Sequence, residues 1–76
     1  MTRQEFADKL VDILETEEDL TPQTELNEVE EYDSLTVLSI IAFVDKNFSK
    51  TLSANQLASV TTVNSLIDLI GADNFE

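Results

Sequence analysis

Few side chains in this 76-residue chain could do chemistry, because it contains no Cys and no His. That removes thiol and imidazole nucleophiles, disulfides and Cys/His zinc sites. What remains is 16 carboxylates, 4 Lys and Arg, and scattered hydroxyls. Paired carboxylates do acid–base work where burial raises one pKa, and no segment here suggests such a pocket. The acidic run lacks the D-x-[DN]-x-[DN]-G order of a calcium loop, and there is no glycine-rich phosphate loop. Catalysis by the chain alone is therefore not expected, and no specific metal site is expected. One hydroxyl stands out by position. Ser34 falls at the expected start of a helix, where free N–H groups and the helix dipole favour an attached anion. Asp33 beside it can cap that helix, or help hold a cation during phosphoryl chemistry. Taken as a tripeptide alone, Asp33-Ser34-Leu35 reads as an ordinary helix start.

The elements that must position Ser34 can be read from caps and periodicity. Thr2-Arg3-Gln4-Glu5 is a capping box, and Phe6, Leu10, Ile13 and Leu14 follow at helical spacing. A first helix is expected from about residue 3 to about 16. Residues 17–32 have no sustained period, and Pro22 disfavours helix at Thr21. Leu20, Leu26 and Val29 are spaced like anchors for a long loop, whose length implies either a functional role or a short helical turn within it. Residues 34–48 are the most apolar stretch. Two stripes, Leu35-Leu38-Ile41-Ala42 and Val37-Ile40-Val44, predict a central helix packed on most sides. Ser53-Ala54-Asn55-Gln56 is a second capping box for a short helix through about Ser59. Thr61 or Thr62 then caps a last helix carrying Val63, Leu66, Ile67 and Ile70, which Gly71 ends. The expected fold is all-α: a small bundle of three main helices plus one short helix, in a single domain over residues 1–76, with a long loop between helices one and two.

Charge separates the two halves. The formal net charge is −12; residues 1–33 hold 12 acids and 2 bases, and residues 34–76 hold 4 acids and 2 bases. Such a balance repels phosphate backbones, so no nucleic-acid partner is expected, whereas a basic protein surface is an attractive one. At 42% hydrophobic residues the chain is too apolar for a disordered acidic tail. No apolar run approaches the roughly 18 residues of a membrane span. The absence of Cys and of a signal-like opening fits a soluble, cytoplasmic monomer. Clustered carboxylates in the loop should be relieved by divalent ions more than by monovalent salt.

Several motifs together resemble the acyl carrier proteins. Asp33-Ser34-Leu35 opens an apolar helix after an acidic loop, and Phe48 closes that helix. Val60-Thr61-Thr62-Val63 is similar to the family's Ile-Thr-Thr-Val element, and Ile67-Asp68-Leu69-Ile70 to its close. The similarity runs without gaps from about Leu26 to Ile70. The resemblance implies that Ser34 receives 4′-phosphopantetheine covalently from coenzyme A, through a separate Mg²⁺-dependent phosphopantetheinyl transferase. The arm's thiol would then hold acyl groups as thioesters, which explains how a chain without Cys could take part in thiol chemistry. An acyl-loading enzyme and an acyl-consuming synthase or transferase are the further partners implied. Shelter for an acyl chain is expected among Leu38, Val44, Leu52, Leu57 and Val60.

The chain also departs from the family pattern. Glu30, Glu31 and Tyr32 precede Asp33 where the family usually has Gly two residues before the Asp, so the loop must approach the helix without glycine's freedom. On the outer face of the second helix, with Leu35 at its start, Thr36 and Ser39 stand where fatty-acid carriers place acids. Lys46 replaces another, and Asp45 remains. Electrostatic complementarity discriminates partners, so a specialised acyl pathway is expected over housekeeping fatty-acid synthesis. Two other readings stay open: an aminoacyl or peptidyl carrier, and a stand-alone acidic interaction module, to which the nine acids and no base of residues 15–33 lend support.

Overall fold

The computed structural model describes the whole chain, Met1–Glu76. Four helices follow in order: α1 (Arg3–Leu14), α2 (Ser34–Phe48), α3 (Ala54–Ala58) and α4 (Val63–Ile70). There is no named strand, and the fold is the expected all-α bundle with its long first connection. Every helix begins with a capping box: Thr2 with Glu5, Asp33 with Thr36, Ser53 with Gln56, and Thr62 with Ser65. Each box satisfies amide groups that a helix start otherwise leaves unpaired.

The first helix ends two residues before the expected point. Glu15 takes a left-handed conformation (φ 54°), and its N–H reaches back to the carbonyls of Asp12 and Val11. Thr16 is buried beyond that turn. Gly71 closes α4 with φ 117°, donating its N–H to the Ile67 carbonyl at 2.8 Å.

The long connection contains one turn of 3₁₀ helix, Leu26–Glu28, and its three apolar residues are anchors as expected. Leu20, Leu26 and Val29 all lie in the core. Backbone bonds fasten the same loop to the start of α4: Val63 N–H to the Thr24 carbonyl at 3.0 Å and Asn64 N–H to the Pro22 carbonyl at 2.9 Å. From α1, the Gln4 amide donates to the Leu20 carbonyl at 3.0 Å and Arg3 donates to Asn64 Oδ1 at 2.7 Å. The loop is thus a fixed layer of the fold.

One core of 16 apolar residues joins α1, the loop, α2, α3 and α4. Phe6, Phe43, Phe48 and Phe75 stack against one another at the far end of α2, with ring centroids 5.2 to 6.4 Å apart. The last residues close on the first, Glu76 N–H bonding the Met1 carbonyl at 3.1 Å.

The expectation for α2 needs correction. Only Ile40 and Val44 are fully enclosed, with Val37, Ile41, Phe43 and Phe48 partly so. Leu35 and Leu38 face outward, 75% and 60% exposed. The helix has two apolar stripes, and α1 and α3 cover only one of them. It is an outer-layer helix with an apolar solvent face.

Candidate functional site

Ser34 is the first residue of α2 and is exposed. Its neighbours do the capping. Asp33 Oδ1 accepts the N–H groups of Leu35 and Thr36, both at 3.0 Å. The Thr36 hydroxyl accepts the Asp33 N–H at 2.9 Å and donates to the Glu31 carbonyl at 2.7 Å. These bonds leave the Ser34 hydroxyl uncommitted at the positive end of a fifteen-residue helix. The Thr36 amide, with further help from Leu35 and the Thr36 hydroxyl, holds the Asp33 carboxyl below its ordinary range against a desolvation that opposes it. Asp33 is therefore firmly ionised at neutral pH, and its second oxygen is free to meet a cation.

The approach to Ser34 dispenses with glycine. Outside Gly71, positive φ occurs only at Glu15 and Ser49, so residues 16–33 run without a left-handed residue. Hydrogen bonds shape this segment instead. Tyr32 N–H bonds the Val29 carbonyl at 3.0 Å, Thr36 holds the Glu31 carbonyl, and the Tyr32 hydroxyl donates to the Leu57 carbonyl at 2.6 Å.

The residues expected to meet partners share the outer face of α2. Leu35, Ser39, Asp45 and Lys46 are exposed, and Leu38 and Ala42 lie between them. Thr36 is half-buried, and its hydroxyl serves the cap and the loop. The residues expected to shelter an acyl chain divide differently. Val44, Leu52, Leu57 and Val60 belong to the buried core, while Leu38 is exposed to solvent.

A cavity of about 520 Å³ lies elsewhere, lined by Thr16 and six glutamates between residues 15 and 31. Glu31 Oε1 is enclosed there without a hydrogen-bond partner. No group of three or more acidic side chains is arranged to hold a metal ion. No helix is long and apolar enough to cross a membrane.

Two features of the site escaped the sequence reading. Thr36 as the return half of a capping box hides because the pattern is usually sought as Glu or Gln at that position. Tyr32 could have been found: an apolar residue just before the N-cap, with Val37 five positions on, has the spacing of a hydrophobic staple. Both side chains pack against the core.

Residues 4–70 match the family described as phosphopantetheine attachment site. No curated protein and no solved structure matches the chain.

Proposed function

Because the chain belongs to the phosphopantetheine attachment-site family, whose members carry a covalent 4′-phosphopantetheine group, we propose that Ser34 is the attachment residue and that the protein is an acyl carrier. The observation that carries this reading is the uncommitted, exposed Ser34 hydroxyl at the first position of α2, with Asp33 and Thr36 satisfying the cap around it. The residues fit the group. An attached phosphodiester would lie in the favourable field of the helix start, and nothing need unfold to expose the nucleophile. When bound, the group supplies a thiol able to form thioesters, which no residue of this chain can offer.

The protein's own residues have positioning roles. Asp33 fixes the first turn through one oxygen and can present the other to a cation borne by the transferase during modification. Thr36 ties the loop to the helix and so fixes the direction from which Ser34 is approached. Leu35, Leu38, Ser39, Asp45 and Lys46 form the face on which a transferase, an acyl-loading enzyme and an acyl-consuming enzyme would dock. That face is apolar and nearly neutral, in contrast to the acidic loop before it. It favours partners of a specialised acyl pathway over enzymes that select an acidic helix. The protein acts as a non-catalytic, monomeric carrier comprising one domain over residues 1–76.

The deciding experiment is intact mass after incubation with coenzyme A and a broad-specificity phosphopantetheinyl transferase. The wild type should gain one phosphopantetheine, and Ser34→Ala should gain none. An unmodified wild type, or a modified Ser34→Ala, overturns the assignment.

A further inference from the structure

The Ser34 end of α2 is joined to α3 by one side chain. Tyr32, the only tyrosine of the chain, lies two residues before Ser34. Its hydroxyl donates to the Leu57 carbonyl at 2.6 Å, in the last turn of α3. Its ring is partly buried and packs against the core. This bond ties the backbone just before Ser34 to α3, so an alkyl chain passing from the Ser34 arm into the interior between α2 and α3 on that side would meet it. Behind the bridge lies enclosed core: Val44 and Leu57 are fully buried, Leu52 and Val60 are 3% exposed, and none of the four lines a cavity. The cavity the protein does possess has no hydrophobic lining, so it offers nothing to an alkyl chain. The tyrosine hydroxyl is protonated at neutral pH and so a donor, and burial pushes its pKa further above the ordinary value.

We propose that Tyr32 sets the cargo class of this carrier, holding the seam between α2 and α3 shut so that the acyl group stays at the surface and short or polar acyl groups are preferred over long alkyl chains. The inference rests on Ser34 as the attachment residue. The preference follows from area: each methylene kept outside the core remains in contact with water, so the cost of an unsheltered cargo grows with its length.

The test uses wild type and Tyr32→Phe, each loaded at Ser34 with a coenzyme A analogue ending in an S-methyl or an S-octyl thioether. Loading is verified by intact mass. In the wild type, the amide resonances of Val44, Leu57 and Val60 should coincide in the methyl and octyl forms, with equal melting temperatures. In Tyr32→Phe, which keeps the ring and removes the bridge, the octyl form should shift those resonances and melt several degrees above the methyl form. Identical responses of the two chains overturn the proposal. Should Tyr32→Phe lose its dispersed spectrum, the wild type still tests the proposal, because octyl-dependent shifts at Leu57 and Val60 refute it. A wild-type chain that gains no mass overturns the carrier reading and this inference with it, whereas a loaded chain with the wrong shifts overturns this inference alone.

Discussion

Asp33 divides its work between two oxygens, and its charge state follows from that division. Oδ1 takes the amides of Leu35 and Thr36, and the Thr36 amide is the main reason the carboxyl titrates below its usual range. A carboxyl whose folded pKa is depressed contributes stability that is fully present above its unfolded value of about 3.9 and is lost as pH falls through the folded value. Asp33→Asn should therefore melt below the wild type at pH 7, and the gap should close under acid conditions. Thermal melts between pH 7 and pH 3 measure it, and a gap independent of pH would show that charge is not the cause. Thr36→Val tests the tie between loop and helix. It removes the bonds to Glu31 and Asp33, each worth about 1 kcal/mol, so urea denaturation should show a loss of about 1–2 kcal/mol. The initial rate of arm transfer to the intact Ser34 should also fall. At this scale the sequence was legible for Asp33, whose capping of α2 depends on near neighbours and leaves Ser34 at the first helical position. It was not legible where the partner is distant: Tyr32 bonds a carbonyl 25 residues away, and no local pattern encodes that contact.

At the scale of elements, caps were more legible than faces. Asp33 marks the start of α2, and Thr2 and Ser53 mark two other helix starts, because a short polar acceptor before an apolar run has one dominant local use. The end of α1 was less legible, because Glu15 adopts a left-handed turn that glycine would signal openly. The orientation of α2 could not be read at all from its own residues. Two apolar stripes satisfy the helical period equally, and the choice between them is made by where α1 and α3 lie. The stripe containing Ile40 and Val44 is enclosed, and the one containing Leu35 and Leu38 is open. Paired substitutions test that orientation. Ile40→Ala should cost about 2–5 kcal/mol, since it leaves a cavity in a packed core. Leu38→Ala should change stability by no more than about 0.5 kcal/mol while lowering kcat/KM for arm transfer, because it removes an exposed leucine from the proposed docking face. Denaturation midpoints and transferase kinetics on the same two variants measure both effects; equal destabilisation would mean that both stripes are buried, and a larger loss for Leu38→Ala that α2 faces the other way.

Across the whole molecule, the net charge of −12 acts as two regions, because 12 of the 16 acids precede Ser34. Folding fixes these acids close together by pinning the loop through Leu20, Leu26 and Val29, so six glutamates come to line one cavity. The crowding is visible at Glu25, whose pKa is raised first by a hydrogen bond with Glu28 and then by that residue's charge. A raised carboxyl pKa has the opposite sign to that of Asp33: the ionised form is disfavoured in the fold, and protonation as pH falls through the folded value relieves it. Repulsion of this kind is screened over a Debye length of about 10 Å at 0.1 M salt. The melting temperature should therefore rise with sodium chloride, and rise further with magnesium chloride at equal ionic strength, because divalent ions gather more strongly where carboxylates are clustered. With no acidic group of three arranged as a cage, the magnesium effect should grow gradually, without a stoichiometric end point in calorimetric titration. Replacing Glu28, Glu30 and Glu31 with Gln should raise the low-salt melting temperature and flatten both salt curves. Replacing Asp68, Asp73 and Glu76 with their amides changes the net charge equally but draws on the nearly neutral half, and should do less. If the two triple variants melt alike at every salt concentration, the cost belongs to total charge; if only the loop variant loses its salt dependence, it belongs to the fold that gathers those acids just ahead of Ser34.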